Sequence, residues 1–200
     1  MLVLIFDTET TGLLPKGAAE FPQDYPHIVQ LSFIFFNSET GKHEPHDFIL
    51  KGSFSIPEES TAVHGITKRR SDACGFDFKD VFGIFKVYLD QAEFIVAHNL
   101  EFDLTMLRAE CARHAIEFPA LPAKYCTMKK NTDRCALFRD DKPYPKFPTL
   151  LELYHHFFNE SPDNLHDSMT DSYACLRCFC VAVLKKDAPS HIVKKLKHID

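Results

Sequence analysis

The apolar positions of this chain change rhythm along its length. Residues 2–6 (LVLIF) are continuously apolar and residues 28–36 (IVQLSFIFF) nearly so. Apolar runs of this length without alternation fit strands buried on both faces. Ser, Thr and Gly within 37–42 mark a turn. A third strand is expected at 48–51, returning antiparallel to the second. Residues 60–65 predict a short helix or turn. Val81, Phe82, Phe85 and Leu89 recur at helical spacing and predict a helix over 78–91. A brief strand at 94–97 precedes a helix from about 102 to 116, closed by Pro119 and Pro122. Residues 124–148 are Pro-rich and aperiodic and are expected to be loop. Helices follow at 149–158 and 171–185, with an amphipathic turn near 192–198. Strands first, then strands alternating with helices, indicate an α/β domain with a mixed sheet. Neither a repeat nor a composition break divides residues 1–200, so one domain is expected.

Composition narrows the classes. Two hundred residues with 45% hydrophobic content and 19 Phe can bury a sizeable core. No apolar run approaches the length of a bilayer crossing, so no membrane partner is expected. The start, MLVLIFDTET, lacks a basic leader and reads as a strand. Together with seven Cys, this suggests an intracellular protein with reduced thiols. The net charge of −5 looks unfavourable for a nucleic-acid binder. Its distribution changes that picture: residues 124–148 carry +4, leaving −9 on the remainder. The basic stretch can track a phosphate backbone or simply be a solvated loop.

The candidate chemistry lies in misplaced acids. Asp7 ends the first apolar run, and Glu9 follows at i+2, on the same side of an extended chain. Two carboxylates that close repel unless a cation lies between them, and hard oxygen ligands select Mg2+ or Mn2+. A polar loop is the plainer alternative. Asp103 stands in the first turn of a helix, on the side of Met106, Leu107 and Cys111. Asp171 likewise heads an apolar stripe of Ala174, Cys175, Cys178 and Ala182. Both acids should face inward, although each also suits a helix start through the dipole. His166 precedes Asp171 by five residues, which places it on the loop before the helix. Cys175, Cys178 and Cys180 lack a partner set with zinc spacing and read as core thiols.

These segments resemble the DnaQ-like exonucleases of the DEDDh branch. FDTETTGL (6–13), VAHNLEFDLTML (96–107) and HDSMTD (166–171) are similar to its three motifs, in order, and the similarity runs from about residue 2 to 184. AVHGIT (62–67) resembles the segment that approaches the terminal nucleotides. The resemblance implies a ribonuclease-H-like fold, a five-stranded mixed sheet with helices on both faces. It implies 3′-to-5′ exonuclease activity releasing nucleoside 5′-monophosphates, with DNA favoured. The alternatives are an exoribonuclease and a noncatalytic nucleic-acid-binding relative. It further implies two divalent ions held by Asp7, Glu9, Asp103 and Asp171, with His166 as general base. Thr8, Thr10, Leu13, His64 and Asn99 match positions near the last nucleotide, the substrate-binding set. Plainer roles compete there: packing for Leu13, a helix cap for Asn99 and a local bond for His64. The implied partner is a nucleic acid with a free 3′ end, single-stranded DNA foremost, with a polymerase or repair complex as a noncovalent associate. Asp167, beside His166, departs from the small or neutral residue common there. It can raise the pKa of His166 by attraction or point to solvent.

Overall fold

The computed structural model describes residues 1–15, 25–163 and 165–197. Five strands form one sheet among these residues, in the order β3-β2-β1-β4-β5. β1 (Leu2–Thr10) lies at its centre. It pairs antiparallel with β2 (Ile28–Asn37), which pairs antiparallel with β3 (His43–Ile49). On its other side β1 runs parallel to β4 (Phe94–Ala97), and β4 parallel to β5 (Ala123–Cys126). The turn between β2 and β3 needs a left-handed residue, supplied by Gly41 at φ 72°.

The uninterrupted apolar runs have the expected consequence. Leu4, Phe6, Leu31, Phe33, Ile95 and Ala97 face one core, shared with α3 (Phe78–Leu89) and α4 (Leu100–Arg113). The alternate positions Val3, Ile5, Ile34, Phe36 and Val96 face a second core, under α7 (Leu150–Phe158) and α8 (Ser168–Phe179). Helices thus cover both faces of a mixed five-stranded sheet, as the ribonuclease-H-like reading requires. α1 (Glu58–His64) and α2 (Lys68–Cys74) lie between β3 and α3.

Several expectations need correction. The third strand is His43–Ile49, not 48–51. It is an edge strand of His, Glu, Pro and Asp, so it carries little hydrophobic pattern; Pro45 is tolerated because an edge strand has one side free of ladder bonds. The expected loop over 124–148 contains β5 and two single-turn helices, α5 (Thr127–Lys130) and α6 (Thr132–Cys135). Four residues, AKYC, are too short to show a period. α2 (KRRSDAC) buries only Ser71 and so carries no apolar period in the sequence. The helix expected over 171–185 starts at Ser168 and passes at Cys180–Leu184 into a π-helical turn. α9 (Ser190–Val193) and a 3-10 turn (Lys194–Leu196) close the chain's described part. No described helix is long and apolar enough to cross a membrane.

Candidate active site

Three carboxylates converge at the carboxyl end of β1. Alternation sends Asp7 and Glu9 to the face that carries Val3 and Ile5, where α8 packs. α8 brings Asp171 in its first turn. Oxygens of Asp7, Glu9 and Asp171 lie within 4.8 Å of one another. Oδ1 of Asp171 is buried without a hydrogen-bond partner. A buried acceptor left bare costs energy, and a cation between the three groups would satisfy it.

Asp103 reaches the same strand end from the opposite face. It is 2% exposed on α4, beside Leu104, Met106 and Leu107, as its helical position foretold. Thr8 points to that face and holds it: the Thr8 backbone N–H donates at 3.1 Å and its hydroxyl at 2.8 Å to Asp103 Oδ1. Asp103 is therefore tethered apart from the converging three. Its charge still acts on Asp7, whose carboxyl is raised well above the ordinary range by burial, then by Asp103, Asp171 and Glu9. Burial pushes Glu9 up to about 8, with Asp171 adding to it. Burial raises Asp103 and Asp171 to about 7, against the Thr8 hydrogen bonds on Asp103 and the His166 backbone bond on Asp171. The residues fit a divalent cation: four acids that resist ionisation alone, all hard oxygen donors, and one of them with a bare oxygen.

His166 is exposed, on the turn before α8, in the left-handed region at φ 74°. Asp167 does not point free into solvent. Its Oδ2 caps α8 by accepting from the Thr170 backbone N–H at 3.1 Å, and its Oδ1 accepts from Gln30 Nε2 at 3.2 Å. Gln30 Nε2 also donates to Asp47 at 2.8 Å, and the Ser32 hydroxyl donates to the same oxygen at 2.7 Å. Gln30 belongs to none of the sequence motifs. Its signal was a pair of polar residues, Gln30 and Ser32, two apart inside an apolar strand.

A cavity of about 420 Å3 adjoins Glu9, bounded by Thr10, Gly12, Leu13, Val63 and His64. Leu13 is 84% exposed, which removes the core-packing alternative for it. The Thr10 hydroxyl donates to the Gly12 carbonyl at 2.6 Å and shapes the cavity floor. His64 accepts from the Ile66 backbone N–H at Nδ1, 3.0 Å, and burial lowers its pKa. That local bond leaves its other nitrogen toward the cavity wall near Thr10, without completing a hydrogen bond. Asn99 is left-handed (φ 67°) at the start of α4 but makes no side-chain cap, so the capping alternative fails. Cys175, Cys178 and Cys180 are buried core thiols pushed up by burial.

With the acids placed on one central strand and the helices on its two sides, the chain can be set beside known proteins. A family model described as exonuclease (RNase_T) matches residues 4–179. The chain belongs to this exonuclease family. A DNA polymerase III subunit epsilon-like protein of Rhodobacter capsulatus is 38% identical over 106 residues, 52% of this chain and 14% of that much longer protein. Among solved structures, E. coli exonuclease I in complex with a 5cy-dT13 oligonucleotide aligns with a TM-score of 0.70 at 18% identity, over 92% of this chain and 41% of that one. The nuclease domain of 3′hExo, a DEDDh family member bound to rAMP, aligns with a TM-score of 0.69 at 13% identity, over 94% of each chain. The fold of this family member is thus the one the motif order implied.

Proposed function

We propose that the chain removes nucleotides one at a time from the 3′ end of a nucleic acid, DNA before RNA, as nucleoside 5′-monophosphates. The observation that carries this is the convergence of Asp7, Glu9 and Asp171 with a bare buried oxygen on Asp171, beside a cavity sized for a terminal nucleotide. Asp7, Glu9 and Asp171 would hold one Mg2+ or Mn2+, and Asp103 would serve a second from across β1. Bound divalent ions lower the pKa of water and neutralise phosphate charge.

The chain's own residues do the rest. His166, exposed at the rim, accepts a proton from the attacking water as general base. The water oxygen bonds to phosphorus while the bond to the penultimate 3′ oxygen breaks, and that oxygen is protonated from solvent. Leu13 offers an apolar face against the terminal base, and Thr10 and His64 line the route of the sugar and phosphate. Thr8 acts one step back, through its hold on Asp103, and Asn99 lies outside the cavity lining. The exonuclease I neighbour's oligothymidine supports a single-stranded DNA substrate, whereas the rAMP in 3′hExo favours the second reading, trimming of RNA ends. The epsilon-like relative suggests a polymerase as a partner inside the cell.

The test is a time course on end-labelled single-stranded DNA and RNA with Mg2+ or Mn2+, wild type beside Asp7→Ala. The expected result is a ladder of single-nucleotide steps from the 3′ end, faster on DNA and absent in the variant. Internal cuts, or equal activity in Asp7→Ala, would overturn the reading.

A further inference from the structure

Outside the acid cluster, the excursion between β5 and α7 carries an unusual surface. Phe138, Tyr144 and Phe147 are each more than half exposed. Tyr144 and Phe147 line a cavity of about 250 Å3 with Arg139, Lys142 and Lys146, and Phe138 directly precedes Arg139. Lys142 Nζ lies 5.7 Å from the Tyr144 ring centre, a cation–π distance. The loop's neck is closed by the Lys146 backbone N–H donating to the Leu137 carbonyl at 2.7 Å. Its end is pinned by His98, whose Nε2 donates to the Pro148 carbonyl at 3.0 Å.

That pin decides where the loop stands. His98 directly follows β4, and β4 runs parallel to β1, whose carboxyl end bears Asp7 and Glu9. The loop's anchored end, next to Phe147, therefore lies at the same end of the strands as the acids. The loop's charge setting also points to a polyanion, since residues 124–148 carry +4 in a chain whose remainder is −9. Lys146 is committed to Glu152, and Asp140 and Asp141 offset part of the local charge. The loop itself thus contributes mostly aromatic surface, with Arg139 and Lys142 for phosphates. Exposed rings interleaved with a few cations suit unpaired bases, whose faces are open. A duplex offers no such faces along its length.

We propose that Phe138, Tyr144 and Phe147 form a stacking platform for the single-stranded segment upstream of the 3′-terminal nucleotide, with Arg139 and Lys142 on its phosphates. This rests on the exonuclease reading above and assigns the part of the substrate that the acid cluster does not touch. Short substrates do not reach the platform and long ones do.

The test compares a 5′-labelled dT16 with a dT3 under Mg2+, in wild type and in Tyr144→Ala/Phe147→Ala. The value of kcat/KM for dT16 is expected to fall about ten-fold or more, through KM, while that for dT3 stays within about two-fold. An independent variant, Arg139→Glu/Lys142→Glu, is expected to weaken dT16 binding and flatten its dependence on salt. All four positions are exposed, and an unchanged melting temperature establishes that the variants fold. Equal losses on dT3 and dT16, or no loss on either, overturn the platform while leaving the exonuclease reading intact. Sedimentation of wild type and variants adds a further overturning outcome, a self-association that depends on these rings with dT16 turnover unaltered. A wild type that degrades neither oligonucleotide overturns both.

Discussion

Glu9, Asp7, Asp103 and Asp171 are groups that the fold holds against their own preference. Glu9 stands near 8 and Asp103 and Asp171 near 7, against about 4 in an unfolded chain. The folded, metal-free protein therefore keeps protons that the unfolded chain has released. Its stability from this source is fullest below about pH 4 and declines as pH rises through 7 and 8. A divalent cation held by these acids would replace those protons, so its stabilising effect would grow with pH. The rise in melting temperature on adding Mg2+ to EDTA-treated protein should be larger at pH 8 than at pH 6; an equal or smaller rise at pH 8 would contradict the assignment. By the same logic Asp7→Asn should raise the melting temperature in EDTA while abolishing nuclease activity. His166 is different in kind, being exposed and outside the strained group. His166→Ala should lower turnover by roughly two to four orders of magnitude and leave the Mg2+-induced rise in melting temperature intact. Loss of both together would make His166 a structural residue instead.

At the element scale, the site hangs on how strands end. His98 leaves β4 and bonds to two separate parts of the excursion, with Nδ1 at 3.0 Å from the Thr127 hydroxyl and Nε2 at 3.0 Å from the Pro148 carbonyl. Burial depresses its pKa to about 4, so it is neutral, donating from Nε2 and accepting at Nδ1. Replacing it with Phe strips the Pro148 carbonyl of its donor, while the Thr127 hydroxyl keeps the Ala97 carbonyl at 3.4 Å, and should cost about 1–3 kcal/mol in urea unfolding. Amide exchange should quicken within 127–148 more than in β1 and β2; uniform quickening would deny the pinning role. Elements were legible in the sequence where burial was extreme. β1, β2, α3 and β4 announced themselves because both faces, or one whole helical stripe, are apolar. β3 and β5 did not, because one is a polar edge and the other four residues long. The acids were legible through their geometry, i+2 on a strand and inward on two helices. What periodicity could not show is that Thr8, pointing away from Asp7 and Glu9, tethers Asp103 on the far face.

The molecule as a whole is a sheet between two helical layers, and the site draws on all three. β1 gives Asp7 and Glu9, α8 on one face gives Asp171, and α4 on the other gives Asp103. Activity therefore depends on the layers keeping their register, and one buried side chain ties several of them together. Gln30 sits opposite Glu9 in the β1–β2 ladder and joins Asp47 on β3 to Asp167, the cap of α8. The Asp167 carbonyl in turn accepts from the Asp171 backbone N–H at 2.9 Å. Gln30→Leu keeps the volume and strand character but removes the donor, leaving Asp47 with Ser32 alone and Asp167 with only its own helix. Asp171 should then drift in the first turn of α8. Supporting residues one step removed from metal ligands typically matter by about 10- to 100-fold in metal affinity or activity. The expected result is a rise of that order in the Mg2+ concentration for half-maximal activity, with kcat largely recovered at saturating Mg2+. Gln30→Glu should be worse, since it places a further negative charge against Asp47 and Asp167. If Gln30→Leu has wild-type activity at limiting Mg2+, Asp171 is placed by the packing of α8 against β1 alone, and the sheet-wide network is ornament to the site.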